Sequence, residues 1–349
     1  MIGRHFISFV VLALFVVGCT QPQDVEPSPA KDVTVVRGAG ATFPNPLYGK
    51  WIGEYAVDHP NARIEYESIG SGEGTKLFLN QLVDFGASDA ALTDEQMEGI
   101  DRGVQLVPAT AGCVTIVYNV DGVPSGLKLP REVYTDIFLD KIRWWNDPKI
   151  QDANPDLELP RLPIAVVARQ DGSGTTFAFT KHLATISDEW AKGPGAGKEI
   201  DWPGGAMLAA GNAGVATRVS RVPGGIGYVE FGLADRIGLT IASLENKAGN
   251  FVTPSGATGM ETLKNAPLPE NLRAFFPDPE GETSYPIATY TWLLLYKDYS
   301  ESPEVGKELK AFVNWCLTDG QRFSEDLGYI RLAPEIAEKA VTALESIKL

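Results

Sequence analysis

The sequence predicts an α/β protein, on three observations. A short apolar strand, a Gly/Ser/Thr-rich turn and an amphipathic helix recur as a unit at residues 33–55, 63–83 and 164–186. Two long apolar stretches, 105–119 and 285–296, read as candidate crossings between two lobes. The composition, 44% apolar and 21% charged, is that of a globular chain able to bury a sizeable core. Strands alternating with helices place binding sites at the carboxyl ends of the strands. The length of 349 residues suggests two domains.

The N-terminal residues precede this fold. Arg4 and His5 stand before an apolar run, Phe6 to Val17, too short for a membrane span of about 20 residues and suited to a secretory signal. Val16-Val17-Gly18-Cys19 matches the loose bacterial lipobox, whose cysteine is acylated and becomes the new N-terminus. Cleavage near Gly18 without a lipid is the alternative. Residues 1–19 are therefore assigned as a signal peptide with lipobox, Cys19 as the lipid attachment, and the polar, Pro-rich residues 20–32 as a flexible tether. The mature chain is then exported, to the periplasm or cell surface, and meets a membrane only through that anchor.

Residues 33–36 form a strand running into Gly38-Ala39-Gly40-Ala41-Thr42-Phe43-Pro44, whose glycines permit a tight turn. Pro44 or Pro46 suits a first helical turn, and Leu47, Trp51 and Tyr55 recur every four residues as an amphipathic stripe. Thr42 and Phe43 thus sit at a helix N-terminus. Residues 63–69 alternate as a strand into Gly70-Ser71-Gly72-Glu73-Gly74-Thr75, with Leu77, Phe78, Leu82 and Val83 following at helical spacing. Residues 83–89 return as a buried strand ending in Asp89, and Leu92-Thr93-Asp94 opens the next helix.

The stretch 105–119 is broken by Gly112, and residues 131–145 read as a helix and short loop capped by Trp144-Trp145-Asn146-Asp147. Ile164 to Ala168 is a strand that delivers Arg169-Gln170-Asp171-Gly172-Ser173-Gly174-Thr175-Thr176, and Phe177, Phe179, Leu183 and Ile186 continue at helical spacing. Gly211-Asn212-Ala213-Gly214 reads as a loop before a helix over 215–219, and Pro223 to Phe231 as a turn with a strand or short helix. Residues 285–296 are the return crossing; 305–317, 320–328 and 334–347 are helical.

The loop at Arg169 has the chemistry of an anion site. A helix N-terminus presents unpaired backbone N–H groups and the positive pole of the helix dipole. A guanidinium just upstream adds a planar donor fork that fits oxyanions bidentately. Asp171 can clamp Arg169 rather than touch a ligand. Each of the three turns, taken singly, is equally a well-capped helix after a strand. None is a nucleotide P-loop: residues 193–198 have the wrong spacing, and Glu199 stands where Ser or Thr is required.

The formal charge of −15 argues against a nucleic-acid partner. It leaves a small anion in a closed site open, because surface charge is screened beyond ~10 Å at moderate salt. No metal cluster or cofactor motif is evident, so no cofactor is expected. Cys113 and Cys316 read as two buried free thiols.

Five motifs in series carry a resemblance. Gly38-Ala39-Gly40-Ala41-Thr42-Phe43-Pro44, Ser68-Ile69-Gly70-Ser71-Gly72, Val83-Asp84-Phe85-Gly86-Ala87-Ser88-Asp89-Ala90, Asp171-Gly172-Ser173-Gly174-Thr175 and Gly225-Ile226-Gly227-Tyr228-Val229-Glu230 resemble the phosphate-binding proteins of bacterial phosphate-specific ABC transporters. The resemblance runs from about residue 36 to the C-terminus. It implies a two-lobed periplasmic-binding-protein fold of class II type, closing over inorganic phosphate in the inter-lobe cleft and delivering it to the permease subunits of an importer. Residues 33–112 plus 290–349 would form the first lobe and 113–289 the second. The family's ligand positions fall on Thr42, Phe43, Ser71 and Asp89 in the first lobe, and on Arg169, Ser173, Gly174 and Thr175 in the second; Asp171 matches the carboxylate that pairs with the arginine.

These roles make physical sense. Phosphate near neutral pH keeps a proton, which an ionised Asp89, acceptor-only, can receive. Sulfate has none, so its oxygen would face a carboxylate with no hydrogen between them, at a cost of several kcal/mol. The chain departs from the family pattern at Gly72-Glu73-Gly74, where small residues are usual; Glu73 in a first helical turn can face solvent and favour the dipole. A binding protein for sulfate or molybdate is the alternative. A phosphatase using Ser173 would need a nearby base, yet His5 lies in the signal, His59 in a polar loop, and His182 nine residues and over two helical turns beyond Ser173.

Overall fold

The computed structural model describes residues 33–264 and 268–349. The signal, tether and Cys19 assignments lie outside them. Among the described residues a nine-stranded sheet runs Ala62–Ser68, Thr34–Gly40, Phe85–Ser88, Ala288–Tyr296, Val104–Asn119, Gly225–Glu230, Ala165–Arg169 and Met207–Ala209, with Thr240–Ile241 also paired to Val104–Asn119. The end strands are parallel to their neighbours: Thr34–Gly40 pairs in parallel with Ala62–Ser68 and Phe85–Ser88, and Ala165–Arg169 does so with Gly225–Glu230 and Met207–Ala209. The middle is antiparallel, through Ala288–Tyr296 and Val104–Asn119. This is the curled, mixed α/β sheet expected of a two-lobed periplasmic binding protein.

The long apolar stretch is one strand, Val104–Asn119, and almost every residue in it is buried. Apolarity on both faces is what a strand covered on both sides requires. Its partner changes midway: up to Cys113 it pairs with Ala288–Tyr296, and from Val114 with Gly225–Glu230. Gly112, expected to break the stretch, lies inside it. A Cβ there would come within 2.8 Å of the Phe43 ring, so the glycine makes room for that ring rather than ending the strand. Residues 33–349 form one compact unit.

The helix and short loop expected over 131–145 are present, the helix being Arg131–Phe138. Asp140 takes a left-handed φ of 61°, which ends it, and Asp147 instead caps a second helix, Pro148–Ala153, by accepting the Lys149 amide at 2.9 Å. The helix Gly211–Arg221 starts four residues earlier than the expected 215–219, which moves Asn212 from a loop into its first turn. The stretch expected as helical at 320–328 is two short 3₁₀ turns, Asp319–Phe323 and Glu325–Leu327. Leu47, Trp51 and Tyr55 are all buried, as their four-residue stripe requires, and Tyr55 packs edge-on against Phe312. Cys113 and Cys316 are buried free thiols.

Candidate functional site

The three strand–turn–helix units put their turns together. Thr42 and Phe43 follow Thr34–Gly40; Ser71 opens the helix Ser71–Leu79; Asp89 follows Phe85–Ser88. From the other half of the sheet, Arg169 ends Ala165–Arg169 and Ser173 caps the helix Gly174–Ile186, its Oγ accepting the Thr176 amide at 3.0 Å. That cap leaves the first amides of the helix with no intrahelical acceptor. Helix ends and side-chain donors therefore face one another across a narrow gap.

Direct contacts close that gap. The Gly72 amide donates to the Gly172 carbonyl at 2.7 Å. Thr175 Oγ1 donates to Asp89 Oδ2 at 3.3 Å. At Gly174 any Cβ would lie 2.6 Å from Asp89 Cβ and 2.7 Å from Ser71 Oγ, so only glycine lets this helix end approach so closely. Ser71 Oγ in turn accepts the Asp89 amide at 3.3 Å. Phe43 is fully buried, with its carbonyl taking the Tyr329 hydroxyl at 2.7 Å, which fixes the turn that carries Thr42.

The ionisable groups are held in contrasting ways. Arg169 Nε donates to Asp171 Oδ1 at 2.8 Å, and its Nη2 donates to Asp171 Oδ2. The third nitrogen, Nη1, is buried and has no hydrogen-bond partner among the described residues. Burial pulls the Asp171 carboxyl upward, but the Arg169 guanidinium and the Gly211 amide, 2.9 Å away, outweigh it and hold its pKa below the usual range. Asp89 is different. Burial pushes it up to about 6, opposed by hydrogen bonds from Thr291 and Thr175 and by the charges of Arg169 and Lys198. Thr291 Oγ1 donates to Asp89 Oδ1 at 2.7 Å.

All eight ligand positions anticipated from the sequence, Thr42, Phe43, Ser71, Asp89, Arg169, Ser173, Gly174 and Thr175, lie in or next to this cluster, and Asp171 pairs with Arg169. Glu73 is exposed and reaches Lys76 at 3.4 Å rather than entering the cleft. Sequence reasoning missed three residues. Asn212 Nδ2 bridges Thr42 Oγ1 at 3.0 Å and Thr175 Oγ1 at 3.2 Å, tying the two halves together. Its Oδ1 accepts the Glu230 amide at 3.0 Å. Thr291 supports Asp89 from the middle of an apolar strand. Lys198 brings a second cation, so Arg169 is not the sole positive charge that this half presents. A cleft of about 400 Å³, lined by Thr42, Ser68, Asp171, Gly211, Asn212 and Glu230 among others, opens beside the cluster.

Such a cluster can bind a small oxyanion through N–H dipoles, hydroxyls and a guanidinium, and it can accept one proton at Asp89. The histidine nearest Ser173 in the sequence is committed to other partners. His182 Nε2 is engaged by the Tyr134 hydroxyl at 2.8 Å, and its Nδ1 by the Pro277 carbonyl at 2.5 Å. Among the described residues no group of His, Cys, Asp and Glu could hold a metal ion.

Residues 25–319 match a family model described as a PBP superfamily domain. The chain is 39% identical over 307 residues to a phosphate-binding protein PstS of Pasteurella multocida, covering 87% of this chain and 88% of that one. It is 36% identical over 370 residues to a phosphate-binding protein PstS of Methanocaldococcus jannaschii, covering 97% and 93%. In fold it matches a crystal structure of a phosphate binding protein from Stenotrophomonas maltophilia with a TM-score of 0.69, at 20% identity over 89% of this chain and 94% of the other. The chain belongs to the PstS family of phosphate-binding proteins, within the PBP superfamily.

Proposed function

Proceeding from that membership, we propose that this protein binds inorganic phosphate outside the cytoplasm and delivers it to the permease subunits of an ABC-type importer. It is a transport binding protein rather than an enzyme, as its relatives are named. Phosphate is clamped by the Thr42 hydroxyl and Phe43 amide, by Ser71, by Arg169, and by Ser173, Gly174 and Thr175 at the helix N-terminus. Asp89 accepts the proton that phosphate retains, and Asp171 holds Arg169 in place. Residues 33–112 plus 290–349 form one lobe and 113–289 the other, with ligand contacts from both favouring the closed state. Residues 1–19 direct export, and acylated Cys19 anchors the chain to a membrane through the tether 20–32. No helix among the described residues is long and apolar enough to cross a membrane.

One observation carries the reading: Arg169 Nη1 is a charged donor buried without a hydrogen-bond partner among the described residues. Leaving such a donor unmatched costs about 1–3 kcal/mol or more. A phosphate oxygen matches it. Asp89 decides against sulfate, because its carboxylate needs a proton from the ligand. Calorimetry on the purified protein, stripped of bound anion by partial unfolding and dialysis, tests the function. Saturable 1:1 binding of phosphate, with sulfate much weaker, is expected; no heat with phosphate, or equal binding of both, would overturn it.

A further inference from the structure

Lys198 lies outside every motif of the site yet is built into it. Its carbonyl accepts the Ser173 amide at 2.9 Å, so its backbone is fixed to the loop that bears Arg169 and caps the helix Gly174–Ile186. Its side chain then crosses the cleft, and Nζ donates to Thr75 Oγ1 at 3.2 Å. Thr75 is buried one helical turn after Ser71, on the same face of the helix Ser71–Leu79. The ammonium is thus carried to the wall that also presents Ser71.

Two further facts distinguish it from a surface lysine. Burial pulls its pKa down, while the Asp89 carboxylate opposes that shift. Lys198 and Asp89 therefore favour each other's charged forms across the gap. Withdrawing an ammonium from water is costly unless charge or hydrogen bonds compensate, and Thr75 is a neutral partner that takes one of its three N–H groups. Counting charges clarifies its use. Asp89 and Asp171 contribute two negative charges and Arg169 one positive, while burial pushes Glu230, which lines the adjoining cleft, up to about 8 and so favours its neutral form near neutral pH. Without Lys198 a site built for an anion would itself be negative; with it Asp89, Asp171, Arg169 and Lys198 balance.

We infer that Lys198 is the second cation of the phosphate site, supplying the charge that offsets Asp89 and lets the closed cleft hold dianionic phosphate. The inference rests on the phosphate reading above. Calorimetric phosphate titrations at pH 8 of stripped wild type, K198M, K198R and T75V test it. K198M is expected to weaken phosphate binding by roughly 10- to 100-fold, the scale of one charge-assisted hydrogen bond. K198R should stay within about fivefold of wild type, and T75V should lose less than K198M, because the ammonium remains. A lysine that only braces the two walls would make T75V and K198M equivalent and leave K198R unrescued; that result, or a K198M constant within threefold of wild type, would overturn the inference. If wild type itself failed to bind phosphate, the binding function would fall with it, which is a separate and recognisable outcome.

Discussion

Asp89 and Asp171 follow strands in the two halves of one sheet and belong to the same polar cluster, but their surroundings drive them in opposite directions. Asp89 is buried among hydroxyls, with Thr291 and Thr175 as its hydrogen-bond donors, and its pKa rises to about 6. Asp171 is locked to the Arg169 guanidinium and the Gly211 amide, and its pKa falls. Environments that push like groups apart assign them different tasks. Asp171 is a committed counter-ion that orients Arg169. Asp89 is ionised, and so acceptor-only, above about pH 6, which is the state that the proposed reading of the ligand's proton requires.

The comparison breaks most severely at Arg169. R169M removes the partner that depresses Asp171 and the unmatched donor together. Phosphate binding should weaken by roughly 100-fold or more, the sum of about two charge-assisted hydrogen bonds, while far-ultraviolet circular dichroism stays native. A smaller loss follows from the carboxylate side. D171N keeps the shape but removes the ionic clamp, so the guanidinium is less well oriented; a weakening of about tenfold by calorimetry is expected.

Acid should make Asp89 behave differently. Its pKa is raised, so it is ionised above about 6 and gains a proton below it. A neutral carboxyl can donate a hydrogen bond. Sulfate affinity, weak at pH 8, should therefore rise about tenfold by pH 5, whereas D89N, with no proton to gain, should show no such rise. A flat sulfate profile in wild type would remove Asp89 from selectivity. The smallest effect is expected where a third carboxylate stands outside the cleft: E73G should leave phosphate affinity within about threefold, since Glu73 is exposed and pairs with Lys76.

Much of the site was legible because its parts are local. A strand ending in a Gly/Ser/Thr turn before an amphipathic helix is written within a dozen residues, and this pattern located Thr42, Ser71 and the Arg169–Thr175 loop. What escaped depends on contacts between distant segments. Asn212 meets Thr42 across 170 positions, and its own segment reads as loop because two glycines flank it. Thr291 serves Asp89 from 202 positions away, inside an apolar run whose period signals only core. Lys198 was visible only as part of a failed nucleotide loop; nothing in its neighbours indicates that its side chain spans to Thr75. Gly112 looked like a break, because the Phe43 ring that needs its space lies 69 positions away in sequence (112 − 43).

The most direct measurement is the ratio of sulfate to phosphate dissociation constants at pH 8, in wild type and in D89N, by calorimetry on protein stripped of anion. A proton-accepting Asp89 requires a high ratio in wild type that collapses toward unity in D89N, through gained sulfate affinity as well as lost phosphate affinity. An unchanged ratio in D89N would contradict the role of Asp89, and with it the physical basis on which this cleft distinguishes phosphate from sulfate.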